Sequence, residues 1–519
     1  MTSKSLALAT CLAAVALCSF ARAEDPASAA PTVALKIAEP REPIARNANG
    51  ADRATRVQAF DLAANSGFEQ VLLTISEPKF IKRFEARIGA EVVASFDANG
   101  IFDVDWNRPT NPTQIPLIVD APETVAKGGE LTIWAFPTPT APLDAKIEIG
   151  VKSATFNGAD VAFDAAPLEY RFGVLVRDSG WDGVAQYRIP GIAQTTKGTL
   201  IAVYDARWNG FPDLPANIDV MCSRSFDGGE TWAPMQVVMD FKGENEAAEG
   251  VGDPSILVDP ETGRIWVAAL WAHNAKSTEA SQPGLKFGTS GRFMLCYSDD
   301  DGATWSEPRD VTNEAAPDAE WRIFFQGPGN GIALRDGKLV FPAQFIDKDG
   351  VWFSTLLWSA DKGKSWHAGT GARKMTCECQ AVELNDGAVM LNMRNFSGAA
   401  RSVATTNDLG ATWTEHSTSC KALVEPICQA SLIRVKSTRD GDDANLLAFM
   451  NPNHPKHRVD MTIKLSEDEG QTWSRSLTLY RPGGCGYSCL VKLDAETLGA
   501  FYETSGGLLF QRVKLADVQ

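Results

Sequence analysis

The sequence predicts an all-β protein, with a six-bladed β-propeller over residues 170–519 preceded by a small N-terminal β-sandwich over 46–165. Three observations predict it. First, an eight-residue signature, Ser/Thr-x-Asp-x-Gly-x-Thr/Ser-Trp, occurs five times, at Ser225–Trp232, Ser298–Trp305, Ser359–Trp366, Thr406–Trp413 and Ser466–Trp473. Second, the five tryptophans are 73, 61, 47 and 60 residues apart, the spacing of blades rather than of hairpins. Third, short strand-like runs recur with little helical periodicity between them: Leu200–Tyr204, Ile265–Leu270, Leu339–Phe341, Val389–Met393 and Leu446–Met450. Roughly 350 residues at about 60 per unit makes six blades, within the usual range for the architecture.

Each part of the signature has a physical task. The Asp bonds the N–H groups of its own turn. The Gly supplies the positive φ that the turn needs. The Trp offers a ring to bury between neighbouring sheets. Asp299-Asp300-Asp301-Gly302 also invites a calcium reading, but the EF-hand spacing fails, because Tyr297 stands where the first ligand should be and Pro308 where the closing Glu should be. The repeat is therefore read as a structural turn, and no metal or cofactor is implied.

Residues 46–165 carry no copy of the signature. They show β-rich runs at Val71–Ile75, Glu91–Phe96, Leu131–Phe136 and Ala145–Val151, broken by Gly, Pro and Asn. A lectin-like module that binds carbohydrate and a packing domain with no site both fit this composition. Ahead of it, residues 24–45 are rich in Ser, Ala and Pro and read as a flexible leader. Residues 1–23 read as a secretory signal: Lys4 gives a basic start, Leu6–Phe20 is mostly apolar, and Ala21-Arg22-Ala23 fits the cleavage site. The apolar run is too short to span a bilayer, and Leu17 before Cys18 argues against a lipoprotein anchor. The expected location is periplasmic or secreted, with no membrane insertion.

The 519 residues carry a net charge of −16, which argues against nucleic acid or anionic membrane as partner. Of ten cysteines, two, Cys11 and Cys18, lie in the signal segment. The other eight lack zinc-ligand spacing and read as buried thiols, with one or two bridges left open because export permits them.

Four segments of the second domain place charged or phenolic side chains where strands should be apolar, which is costly unless they are paired or line a cavity. They are Tyr187-Arg188-Ile189-Pro190; Tyr204-Asp205-Ala206-Arg207-Trp208 with the loop to Asp213; Cys377-Glu378-Cys379 through Arg394; and His457-Arg458 with Gly486-Tyr487-Ser488. A propeller funnel can collect residues that lie far apart in sequence. His454 and His457 form H-x-x-H but lack a third metal ligand and read as loop residues.

With these motifs in hand, the chain resembles the bacterial exo-α-sialidases, or neuraminidases, over essentially all of 170–519. The resemblance rests on the five Asp boxes, Arg188-Ile189-Pro190, the tract from Cys377 to Arg394, Leu423–Cys428 and Gly486-Tyr487-Ser488. It implies that Arg188, Arg394 and Arg458 clamp a substrate carboxylate, as planar guanidinium forks do well. It implies Tyr487 as nucleophile, Glu378 as its base and Asp213 as general acid/base. Arg207 would be a further pocket arginine. Asp253, in Gly252-Asp253-Pro254, would be either a pocket carboxylate or a turn residue. Asp205 and Asp219 read as structural. The implied substrates are sialylated glycoproteins, glycolipids or oligosaccharides, hydrolysed with retention through a tyrosyl intermediate. A trans-sialidase would use the same pocket. A non-catalytic sialoglycan-binding propeller would have lost Tyr487, Glu378 or an arginine, and none is missing.

Overall fold

The computed structural model describes residues 33–97, 113–241, 249–273, 276–278, 280–318 and 320–519. The signal reading of 1–23 and the start of the leader lie outside them. The chain divides into two compact units.

The first unit holds two antiparallel sheets. One orders Thr55–Leu62, Gly129–Pro137, Ile81–Ile88 and Glu91–Asp97. The other orders Gln114–Ile118, Phe68–Ile75, Lys146–Phe156 and Ala159–Ala162. Buried Phe60 meets Phe68 edge-on at 5.9 Å, and Phe68 meets Phe156 at 5.5 Å, so aromatic rings join the two sheets in one core.

The boundaries of this region differ from the sequence expectation. The leader is not free along its described part: the Lys36 N–H donates to the Ala59 carbonyl at 2.8 Å and the Ile37 N–H to the Gln58 side chain at 3.0 Å. Ile44–Asn47 is a strand, parallel to Phe172–Leu175, with Ile44 and Ala45 buried. Arg41–Arg53 and Pro142–Ala145 belong to the second unit, and the first continues to Tyr170. A four-residue strand with two apolar side chains is too short to show a period.

Among the described residues, the second unit contains six sheets, antiparallel but for two short parallel pairs. We number them as blades in chain order. Blade 1 begins with Gln186–Gln194, blade 2 with Val251–Val258, blade 3 with Ile323–Gln326, blade 4 with Thr376–Glu383, blade 5 with Ser431–Lys436 and blade 6 with Ser488–Lys492. Blade 1 lies beside blade 2 through these first strands, and so on round to blade 6, whose first strand returns to that of blade 1; blade 3 meets blade 4 chiefly through its second strand, Leu339–Ile346.

In blades 1 to 5 the signature is always the turn from the third strand to the fourth, following Ile218–Ser225, Arg292–Ser298, Trp352–Ser359, Ser402–Thr406 and Met461–Ser466. Blade 6 has no such turn. Its third strand, Gly507–Lys514, pairs with Leu168–Asp178 from the other end of the unit. That is why five boxes serve six sheets.

The boxes share one bonding scheme. In the second, the Thr304 N–H and hydroxyl donate to Asp300 at 2.8 and 2.6 Å, and the Ser298 hydroxyl accepts from the Gly302 N–H at 2.9 Å. The donors from Thr304 hold the Asp300 carboxyl down at about 2. The tryptophans pack inward: Trp366 is fully buried, edge-on to Trp266 at 5.6 Å. Replacing such a ring by Ala typically costs about 3–5 kcal/mol. Gly363 is required twice over, by its φ of +83° and because a Cβ there would sit 2.2 Å from the Trp266 ring.

Candidate active site

Three of the first strands are bulged where they carry a site residue. The register of blade 1 shifts between Arg188 and Gly191, that of blade 2 between Gly252 and Ser255 around Asp253, and that of blade 4 between Thr376 and Cys379 around Glu378. A bulge re-aims a side chain that the pleat would otherwise send into the core. Ile189 and Asp253 accordingly have φ near +60°. For a β-branched residue such as Ile189 that is an unusual conformation, of the kind that functional sites retain. Pro190 and Pro254 lie within two of these bulges, where no ladder N–H is needed.

The Tyr487 side is tightly bonded. The Tyr487 hydroxyl makes a short hydrogen bond to Glu378 Oε1. Arg394 Nη1 donates to Glu378 Oε2 at 2.6 Å and to the Tyr487 oxygen at 3.1 Å. The Arg188 and Arg458 guanidinium carbons lie 5.2 and 5.7 Å from the Tyr487 ring centre. Burial and the Glu378 charge push the phenol well above its ordinary pKa, against the pull of Arg394 and Arg188. The buried Nε of Arg394 has no partner among the described residues.

Glu503, which the sequence reading missed, ties this side to blade 1. It accepts from Arg188 Nε at 3.0 Å, from the Ile189 N–H at 3.0 Å and from the Tyr487 N–H at 2.9 Å. Burial alone would raise its carboxyl; Arg188 and the two backbone donors more than reverse that and hold it below the ordinary range. A Cβ on Gly486 would stand 2.2 Å from Glu503 Oε2, so glycine is what admits the carboxylate there. The signal for Glu503 was a carboxylate ending the apolar run Leu498–Tyr502, but a strand end before a turn looks equally ordinary.

The other side is built on Arg207. It holds Asp205 through Nε and Nη2 at 3.2 and 3.1 Å and Asp213 through Nη1 at 2.7 Å. Arg188 Nη1 reaches the same Asp213 oxygen at 3.4 Å. The Asp213 side chain is 79% exposed, on a loop where Phe211 is also exposed and Leu214 packs against Leu270, Ile323, Phe325 and Ile346. Partial desolvation raises the Asp213 carboxyl, and Arg207 and Arg188 outweigh it, so it ends below its ordinary value. Asp205 is buried and accepts from the Asp253 N–H at 2.9 Å; burial pushes it up to about 6. Burial and the neighbouring Asp205 charge raise the Asp253 carboxyl well above the usual range. Asp219 accepts from Trp208 Nε1 at 2.6 Å, beside the loop rather than in the funnel.

The eight residues singled out in the sequence thus meet through one set of contacts. Arg458 has the lightest hold, a 3.4 Å bond from Nη2 to the Ile427 carbonyl. The histidines serve a turn: His454 Nδ1 accepts from the His457 N–H at 2.9 Å. All eight described cysteines are free, and all but Cys420 are buried. Two other hollows, of 210 and 540 Å³, contain none of these site residues.

Residues 198–500 match the family model described as a BNR repeat-like domain. A sialidase of Bacteroides fragilis is 44% identical over 73% of this chain and 72% of that protein. A sialidase of Micromonospora viridifaciens is 34% identical over 69% of this chain and 56% of that protein. Among solved structures, the Hadza microbial sialidase Hz136 superposes with a TM-score of 0.82 at 34% identity, covering 92% of this chain and 99% of its own. With the propeller, the repeats and relatives of this closeness in agreement, the chain belongs to the bacterial exo-sialidase family of glycoside hydrolases.

Proposed function

We propose that the protein hydrolyses terminal α-linked sialic acids on glycoproteins, glycolipids or oligosaccharides, with retention through a covalent intermediate on Tyr487. The observation that carries this reading is the Tyr487–Glu378–Arg394 cluster: a neutral phenol bonded to a carboxylate, with one guanidinium bridging both. Sialidases are the recognised tyrosine exception to the two-carboxylate scheme of glycosidases. The anomeric carbon of sialic acid carries its own carboxylate, which repels an anionic nucleophile. A phenol stays neutral until its base takes the proton.

In the first step Glu378 accepts the Tyr487 proton as the phenolic oxygen bonds the anomeric carbon. The glycosidic bond breaks, and Asp213 protonates the departing oxygen. In the second, Asp213 takes a proton from water, the water oxygen displaces Tyr487, and Glu378 returns the proton to the phenol. Arg188, Arg394 and Arg458 hold the substrate carboxylate throughout. Burial and the neighbouring Asp205 charge raise the Asp253 carboxyl, which favours the protonated form and with it donation to a sugar hydroxyl.

The same arginines give Asp213 its timing. In the free site Arg207 and Arg188 keep Asp213 ionised. A substrate carboxylate on Arg188 draws off part of that charge, so the Asp213 pKa rises as the substrate arrives, and an acid forms where one is needed. The test is release of 4-methylumbelliferone from its α-sialoside by wild type and Tyr487→Phe. Release by the first and not by the second supports the reading; equal release by both overturns it.

A further inference from the structure

Behind the clamp lies an ion pair that the chemistry above does not use. Arg401 and Glu425 are completely buried, with Arg401 Nη1 2.9 Å from Glu425 Oε2. Arg401 also donates from Nε to Asn392 Oδ1 at 2.7 Å, from Nη2 to the Asn392 carbonyl at 3.1 Å and from Nη1 to the Cys428 carbonyl at 2.7 Å. Glu425 Oε1 accepts from the Asn395 N–H at 2.7 Å, and Oε2 from the Cys428 N–H at 3.4 Å. Backbone bonds seal the two segments: the Arg401 N–H meets the Leu423 carbonyl at 2.8 Å, and the Glu425 N–H meets the Ala399 carbonyl at 2.9 Å.

The partners of the pair fall in two places. Asn392 and Asn395 bracket Arg394 on its strand. Cys428 follows Ile427, whose carbonyl accepts from Arg458, and packs with Ile189 and Tyr487 in one small apolar cluster. The pair therefore spans the strand that carries one clamp arginine and the turn that touches another. A sealed ion pair adds little net stability over an apolar pair of the same volume, so stability alone is a poor reason for it here. Directional bonds, by contrast, can set the distance between two backbone segments in a way that apolar packing does not.

We infer that Arg401 and Glu425 are positioning residues for the reaction: their buried pair fixes the strand of Arg394 against the Ile427–Cys428 turn, and so sets the spacing of the carboxylate clamp and the seat of Tyr487. The inference rests on the proposed sialidase reading. Misplacing a clamp by a fraction of an ångström weakens every step that depends on the substrate carboxylate, and a 1 Å error can cost about 100-fold.

The test uses Arg401→Lys, which keeps the charge but cannot reach Asn392 and Cys428 together, and Glu425→Gln, which keeps shape and the Asn395 bond. Each is measured for thermal unfolding, for kcat and KM on the 4-methylumbelliferyl α-sialoside, and for affinity toward N-acetylneuraminate against its methyl ester. The expected result in the folded variants is a drop in kcat/KM of about 10- to 100-fold, with the preference for the free acid over the ester reduced in parallel. Glu425→Gln keeps the test open where Arg401→Lys does not fold. Wild-type kinetics and acid-over-ester preference in the folded variants, with only the unfolding temperature lowered, overturn the proposal. Wild-type protein with no release at all instead overturns the sialidase reading on which it rests.

Discussion

The two sides of the funnel are held in different ways. Tyr487, Glu378 and Arg394 are bonded to one another, and Glu503 secures the Tyr487 backbone from below. Asp213 stands mostly in solvent on a loop, held by Arg207 and Arg188 through a single carboxylate oxygen. The difference matches the demands that the proposed roles make on each side. A nucleophile gains from a fixed geometry before substrate arrives. An acid that must admit the substrate, protonate a leaving group and then meet water gains from room to move. The arginines join the sides, since Arg188 touches Glu503, Asp213 and the face of Tyr487.

The strongest way to break this contrast is at its rigid side. Tyr487→Phe removes the proposed nucleophile and leaves the ring packing, so kcat should fall by on the order of 10³-fold or more with the unfolding temperature nearly unchanged. Next in size is Asp213→Ala, read on two substrates. General acid assistance is worth about 10²–10⁴-fold where the leaving group needs a proton. The kcat/KM for sialyllactose, which reports the first step alone, should therefore drop by roughly that factor and that for the 4-methylumbelliferyl sialoside by far less, because a phenol leaves readily without a proton. Equal losses on both would mean that Asp213 binds rather than protonates.

Arg394→Lys should lower kcat/KM by about 100-fold, since a lysine cannot bond Glu378, Tyr487 and a carboxylate at once. A milder cut is Leu214→Ala, which loosens the loop from its apolar seat without touching a charged group. The expected loss is about 10-fold, again larger for sialyllactose. The smallest effect concerns pH. The raised Tyr487 pKa means that its phenol stays protonated through the working range, since ionisation of a raised group begins only above its ordinary value. The ultraviolet difference spectrum between wild type and Tyr487→Phe should show no tyrosinate below about pH 10, and a tyrosinate signal near neutrality would contradict the assigned environment.

Much of this was legible in the sequence because it repeats. Asp, Gly and Trp at fixed offsets mark one turn of each of five sheets, and Arg188, Glu378 and Arg394 break the apolar pattern of their strands, as Tyr487 does just ahead of Ser488–Lys492. What stayed hidden is what local pattern cannot carry. The fourth strand of blade 6 comes from Leu168–Asp178, more than 300 residues away, so no turn signature announces it. The bulges at Arg188, Asp253 and Glu378 are backbone events, marked only by Pro190 and Pro254. Glu503 and the Arg401–Glu425 pair gain meaning only from partners that folding brings near. Ile44–Asn47 was concealed by a Pro- and Ala-rich context, although its pairing is as regular as any other.

The central claim, a covalent bond to Tyr487, is tested most directly by trapping it. Incubation with 2,3-difluorosialic acid, whose ring fluorine slows release of the intermediate, would be followed by mass spectrometry of the intact protein and its peptides. The account predicts one added 3-fluorosialosyl group, located on the peptide that contains Tyr487 and absent from Tyr487→Phe. An adduct on Glu378 or Asp213 would contradict it, as would an unmodified wild-type protein that hydrolyses sialosides with inversion.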